Sequence, residues 1–141
     1  MKKPAKRKID DDPTGPAAVM RSHFHAFSKL AEQTAGARPL LRGLRVAFDP
    51  KADRIVAVHG ATRVEFVLHL HADSQPPHAE IECRRINAVG QTEEATIARF
   101  RFDLTGVISE STVPDLVSQR IDQSPGAWSV VAAVIWDAMQ A

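Results

Sequence analysis

The chain has 141 residues, 44% of them hydrophobic and 25% charged, with a formal net charge of +1. That length sustains one self-sufficient core, and the composition is that of a globular protein rather than a disordered or membrane one. A near-neutral balance, with a pI of about 8.0, supplies no global field to draw nucleic acid or an anionic surface.

Local charge gathers at the start, where Lys2, Lys3, Lys6, Arg7 and Lys8 precede Asp10, Asp11 and Asp12. Residues 1–15 read as a disordered charged tail, and residues 16–141 as a single α+β domain. No apolar stretch follows the basic start, so a secretory leader is not expected. The most apolar segment, residues 127–136, is far short of the ~20 residues a membrane span needs. The single cysteine, Cys83, leaves no internal disulfide and fits a reducing compartment, so the cytoplasm is the expected location.

Val19, Met20, His23, Phe24, Phe27, Leu30 and Ala31 recur at three-to-four spacing and predict an amphipathic helix from Pro16 to about Ala35, closed by Gly36. Alternation then predicts strands over 44–48 and 54–58, parted by the turn formers Asp49 to Asp53. A tight turn at residues 59–62 leads to the two clearest strands, 63–71 and 78–86. A further strand is predicted over 95–104. The fold class is therefore α+β, with a meander of about five antiparallel strands.

The register of this meander follows from its side chains. Placing His71 opposite His78 sets Leu68 against Ile81, Phe66 against Cys83 and Leu70 against Ala79, with Glu65 against Arg84 on the other face. Placing Ile86 opposite Ala95 sets Cys83 against Ala98, Ile81 against Phe100 and Ala79 against Phe102. Glu82 then meets Arg99, Glu80 meets Arg101 and His78 meets Asp103. One face is continuously apolar and the other carries opposite charges.

Beyond Gly106 the period changes. Thr112 is placed to cap a helix with Val113, Leu116, Val117 and Ile121 inward. Ser124-Pro125 opens a second helix carrying Trp128, Val131, Ala132, Ile135 and Met139. Val130, Val134 and Trp136 widen its apolar arc beyond one stripe, so it is either buried on two sides or covers a partner. Both helices are expected on one face of the sheet.

Several chemistries find few residues to carry them. No Gly-x-Ser-x-Gly elbow or phosphate-cradling glycine loop occurs. Cys83 points into the predicted core, where a thiol is inert. Glu80, Glu82 and Arg84 alternate as in a nuclease carboxylate strand, yet arginines already face both carboxylates. Nucleic-acid binding is disfavoured, because there is no tyrosine and all six phenylalanines fall on predicted inward faces.

Two constellations remain. His69, His71, His78 and Glu80 share the polar face, and three imidazoles with a carboxylate are ligand types that suit zinc; the alternative is an ordinary solvated face. The other is the last helix, with Trp128, Val131, Val134, Ile135, Trp136 and Met139 as a partner-binding surface; the alternative is plain burial. A carrier of an apolar small molecule is a third reading.

The order of these elements resembles that of SecB-type chaperones. In both, a long-stranded antiparallel sheet (here Arg63 to Leu104) precedes a short helix (Val113 to Ile121), a break marked by proline (Ser124-Pro125) and a long apolar helix (Trp128 to Met139). The resemblance implies a homo-oligomer that binds unfolded polypeptides through exposed apolar grooves. The expected function is accordingly a non-enzymatic protein-binding module, a chaperone or adaptor, without a cofactor and without a membrane.

Overall fold

The computed structural model describes residues 14–140. Helix α1 (Pro16–Glu32) and a single-turn helix α2 (Thr34–Ala37) are followed by a 3-10 turn at Pro39–Leu41. Six strands come next: β1 (Arg45–Asp49), β2 (Arg54–His59), β3 (Thr62–His71), β4 (His78–Ile86), β5 (Thr92–Asp103) and β6 (Ile108–Ser111). Helix α3 (Ser124–Gln140) closes the chain of elements. The strands form one antiparallel sheet in the order β1-β2-β3-β4-β5-β6.

The fold is α+β, and the expected register of its centre is found. Leu68 pairs with Ile81, Phe66 with Cys83 and His71 with His78. Ile81 pairs with Phe100, Glu82 with Arg99 and His78 with Asp103. The inward row is wholly buried: Ile55, Val64, Phe66, Ile81, Phe100 and Phe102. Met20, Phe24 and Phe27 of α1 pack on it, with Val130, Val131, Val134 and Ile135 of α3. Both helices lie on this face, and the opposite face is left open.

Four expectations are corrected. Ile86 pairs with Thr92 rather than Ala95, because register shifts on either side of Arg84 insert extra residues into the ladder. Such bulges bend a strand, and here they bring Thr92 and Thr96 onto the open face, where their hydroxyls donate to Glu65 and Glu82. The sheet has six strands, not five. The first helix stops at Glu32, and Gly36 lies inside the short α2 instead of ending α1.

The fourth correction is the largest: residues 113–121 form no helix. Asp115 (φ 69°) and Ser118 (φ 78°) adopt left-handed backbone conformations that interrupt any helical ladder. Thr112 caps nothing; its Oγ1 accepts from the Arg99 amide at 2.9 Å and its own amide donates to the Arg99 carbonyl at 2.9 Å. The segment folds back along β6 instead. The Ile108 amide donates to Gln119 O and the Ser118 amide to Ile108 O, both at 2.8 Å. Val113, Leu116 and Ile121 are buried as expected, but on turns, whereas Val117, also expected inward, is 50% exposed because no helix carries it round to the core.

Of the expected tail, residues 1–13 lie outside the described residues. Gly15 belongs to the fold: it is buried, and its carbonyl accepts from the Val19 amide in the first turn of α1. Among the described residues, no helix is long and apolar enough to cross a membrane.

Candidate functional site

The open face of the sheet is a lattice of charges centred on Glu82. Its carboxylate accepts from Thr96 Oγ1 (2.5 Å), from Nε and an amino group of Arg84 (3.2 and 3.0 Å) and from Arg99 (3.3 Å). His69 Nε2 lies 3.1 Å from its other oxygen. The Thr96 hydroxyl, joined by Arg84 and His69, outweighs burial and holds the Glu82 carboxyl down at about 2. It is therefore a fixed anion near neutral pH, unsuited to donate a proton.

This depression links stability to pH. A carboxyl whose pKa is lowered on folding stabilises the fold above its ordinary range, and that stability is lost as pH falls from about 4.5 towards about 2. Glu82→Gln is expected to cost about 2 kcal/mol near neutral pH, after allowing for the solvent that screens Arg84 and Arg99, and almost nothing near pH 2. Urea unfolding midpoints at the two pH values check this. A cost that does not shrink on acidification would place the role of Glu82 in packing rather than charge.

The four residues of the expected metal cluster do not converge. His71 and His78 stack with centroids 4.8 Å apart, but His78 Nδ1 lies 3.2 Å from the Pro76 carbonyl. His69 turns to Glu82, and Glu80 faces Arg99 at 3.7 Å. Among the described residues, no group of three or more His, Cys, Asp or Glu side chains is placed to hold one ion. Cys83 is fully buried, and that burial pushes its thiol well up, away from the thiolate a nucleophile requires.

Helix α3 carries the second constellation, and the structure divides it. Val131, Val134 and Ile135 are buried in the core of the single chain. The arc is wide because α1 flanks the helix on one side and the sheet floors it, so Val134, expected at the margin, belongs to the interior. Trp128 is half-buried and its Nε1 donates to Leu30 O at 3.1 Å, tying α3 to the end of α1. Trp136 and Met139 stand out, 55% and 45% exposed.

These two side chains line a cleft of about 550 Å³ with Ala132 and Ala133 of α3 and with Arg38, Pro39, Leu40 and Leu41. Sequence reasoning missed Leu40, which is 83% exposed. The signal was present, since Leu40 and Leu41 are adjacent after Pro39 and a tight turn buries only one of them. Arg38 is the single charged side chain of the lining, and its amino group donates to Ser129 Oγ at 3.4 Å. A walled apolar cleft with one cation is suited to hold an apolar anchor rather than to move a proton.

Compared with known proteins, no family model, no curated sequence and no solved structure matches this chain.

Proposed function

We propose that the chain is a small, non-enzymatic protein-binding module, a chaperone or adaptor in kind, that self-associates through α3. The observation that carries this reading is the convergence of Leu40, Trp136 and Met139, three of the largest exposed apolar side chains, on a single cleft. Exposed apolar side chains gathered in one place mark binding surfaces more often than scattered ones do. The fixed Glu82 anion and the protonated, buried Cys83 favour binding over catalysis.

Native mass spectrometry of untagged protein from a mild preparation tests this. The expected result is an oligomer free of stoichiometric metal or small molecule. A Trp136→Ser variant is expected to keep its circular dichroism and lose subunits. A monomer carrying one metal ion, or one tightly held apolar compound, would overturn the reading and turn attention to His71 and His78 or to the cleft as a carrier site.

A further inference from the structure

We propose that the free edge of β1 binds β1 of a second copy of the chain, antiparallel about a two-fold axis at Ala47, so that two six-stranded sheets join edge to edge. This contact is separate from the one through α3 and does not depend on it.

The two edges of the sheet differ. Beyond β6 the chain returns along the strand: the Ile108 amide donates to Gln119 O, the Ser118 amide donates to Ile108 O, and Val107 bridges Arg120. That edge is covered. Among the described residues, no strand lies beyond β1. Its residues pair with β2 without a register shift, and it holds no proline, lysine or bulge, the usual means of keeping a free edge from pairing.

Hydrogen-bond parity fixes what this edge offers. The Leu68 amide donates to Asp53 O at 2.9 Å, so the adjacent pair of Arg54 and Val67 is of the non-hydrogen-bonded kind. Ile55 and Ala57 therefore bond to β3, while Arg54, Val56 and Val58 turn to β1. Their partners Asp49, Ala47 and Arg45 are satisfied by β2. Val46 and Phe48 are left with their N–H and C=O groups directed to the free edge.

A two-fold axis at Ala47 sets Val46 opposite the partner's Phe48 and Phe48 opposite the partner's Val46, and each such pair exchanges its backbone bonds. On the open face, Arg45 comes opposite the partner's Asp49 twice over. Both side chains are exposed, and among the described residues neither has an ion-pair partner. Arg54, opposite Asp49 within the chain, turns instead to Glu65 at 2.8 Å. On the helix side, Phe48 is half-buried against Phe24 and His25 and gains the partner's Val46, an aromatic against a β-branched residue.

Parity also permits an axis at Val46 or at Phe48. The first would set Asp49 opposite Gly43, and the second would set Arg45 opposite Lys51, a like charge. Only the axis at Ala47 satisfies the backbone, the charges and the apolar row together, as an isologous contact requires.

Sedimentation velocity over a concentration series tests the edge on the wild type, Arg45→Asp, Asp49→Arg and an equimolar mixture of these two variants. Each sample is run with and without Trp136→Ser, so that association through α3 is read apart from association through β1. Thermal melts serve as a folding control. Each reversal alone sets like charges together at two symmetric points and is expected to raise the Kd of the edge contact about tenfold or more. In the mixture every aspartate meets an arginine, and the Kd is expected to return to within about threefold of the wild type. That recovery separates a broken pair from a damaged fold. Ala47→Cys lies on the axis and is expected to give a disulfide-linked dimer under mild oxidation, since Cys83 is buried. Arg45→Cys, about 13 Å from its symmetry mate, is expected to give none. Association that ignores both reversals, or a wild type that stays monomeric, overturns the edge contact. A mixture that fails to recover, or cross-linking through Arg45→Cys, overturns the axis at Ala47.

Discussion

Val134→Asp is expected to leave no folded protein, whereas Trp136→Asp, two residues along the same helix, is expected to leave a folded one. Val134 has no solvent exposure and belongs to the cluster of Val130, Val131 and Ile135 that seals the sheet. A carboxylate there meets neither water nor a partner. The penalty exceeds about 4 kcal/mol, close to the whole stability of a small domain. Trp136 keeps 55% of its surface in solvent, so its replacement loses a partial contact worth about 1 kcal/mol. Far-UV circular dichroism and urea unfolding of the two variants decide the matter. If both fold, α3 is not seated on the sheet as described. If neither folds, Trp136 belongs to the core and the binding surface disappears with it.

Gly126→Ala is the second substitution from which a large loss is expected. Gly126 is buried in the first turn of α3, against the backbone of the preceding loop. A Cβ at this position would fall onto the carbonyl oxygen of Arg120, with Arg120 C and N only 2.9 and 3.0 Å away. Backbone atoms do not rotate aside as a long side chain would, so helix and loop must separate. A cost of about 3 kcal/mol or more follows from such overpacking. The internal control is Gly36→Ala, where a Cβ meets nothing within 4 Å and the backbone is helical. That substitution is expected to be neutral or to stabilise by up to about 1 kcal/mol, because alanine restricts the unfolded chain. Equal effects at the two glycines would rule out the close packing of α3 on Arg120. The Arg120 side chain is pinned in turn by its two bonds of 3.0 Å to Asp122.

The contrast between these positions shows which parts of the fold were legible in one dimension. The centre of the sheet was, because two independent rows of side chains had to agree. Leu68 and Ile81 must meet inside while Glu82 and Arg99 meet outside, and a slip of one residue would break both. The bulge at Arg84 was not, since nothing in its neighbours marks an extra residue. The turn segment after β6 was half legible. The spacing marked burial correctly for Val113, Leu116 and Ile121 but wrongly for Val117, since three apolar residues buried from turns leave much the same trace as one helical stripe. Pro114, Asp115 and Ser118 were the residues to weigh more heavily, as turn formers crowded into a short span.

The candidate site was legible in kind and not in extent. An apolar arc wider than one stripe on the last helix did announce two contacts, and Trp136 and Met139 are indeed exposed. Which residues of that arc face inward depends on α1, which returns from the far end of the sequence to lie beside it. The bond from Trp128 Nε1 to Leu30 O joins residues 98 apart, a separation to which local periodicity is blind. The histidines illustrate the reverse case. Their register was right, with His71 opposite His78, yet side-chain direction and the competing pull of Glu82 keep His69 from joining them.

The unbroken strand order has a consequence for how the chain folds. Every strand pairs with its neighbour in sequence, so the sheet can zip from hairpin to hairpin without long loop closures, which favours rapid assembly. Its lid is a different matter. During synthesis the last strand is made well before α3, and for that interval α1 alone shelters Phe66, Ile81 and Phe100. The fastest-forming part of the molecule therefore waits, half covered and prone to stick, for the last seventeen-residue helix to arrive.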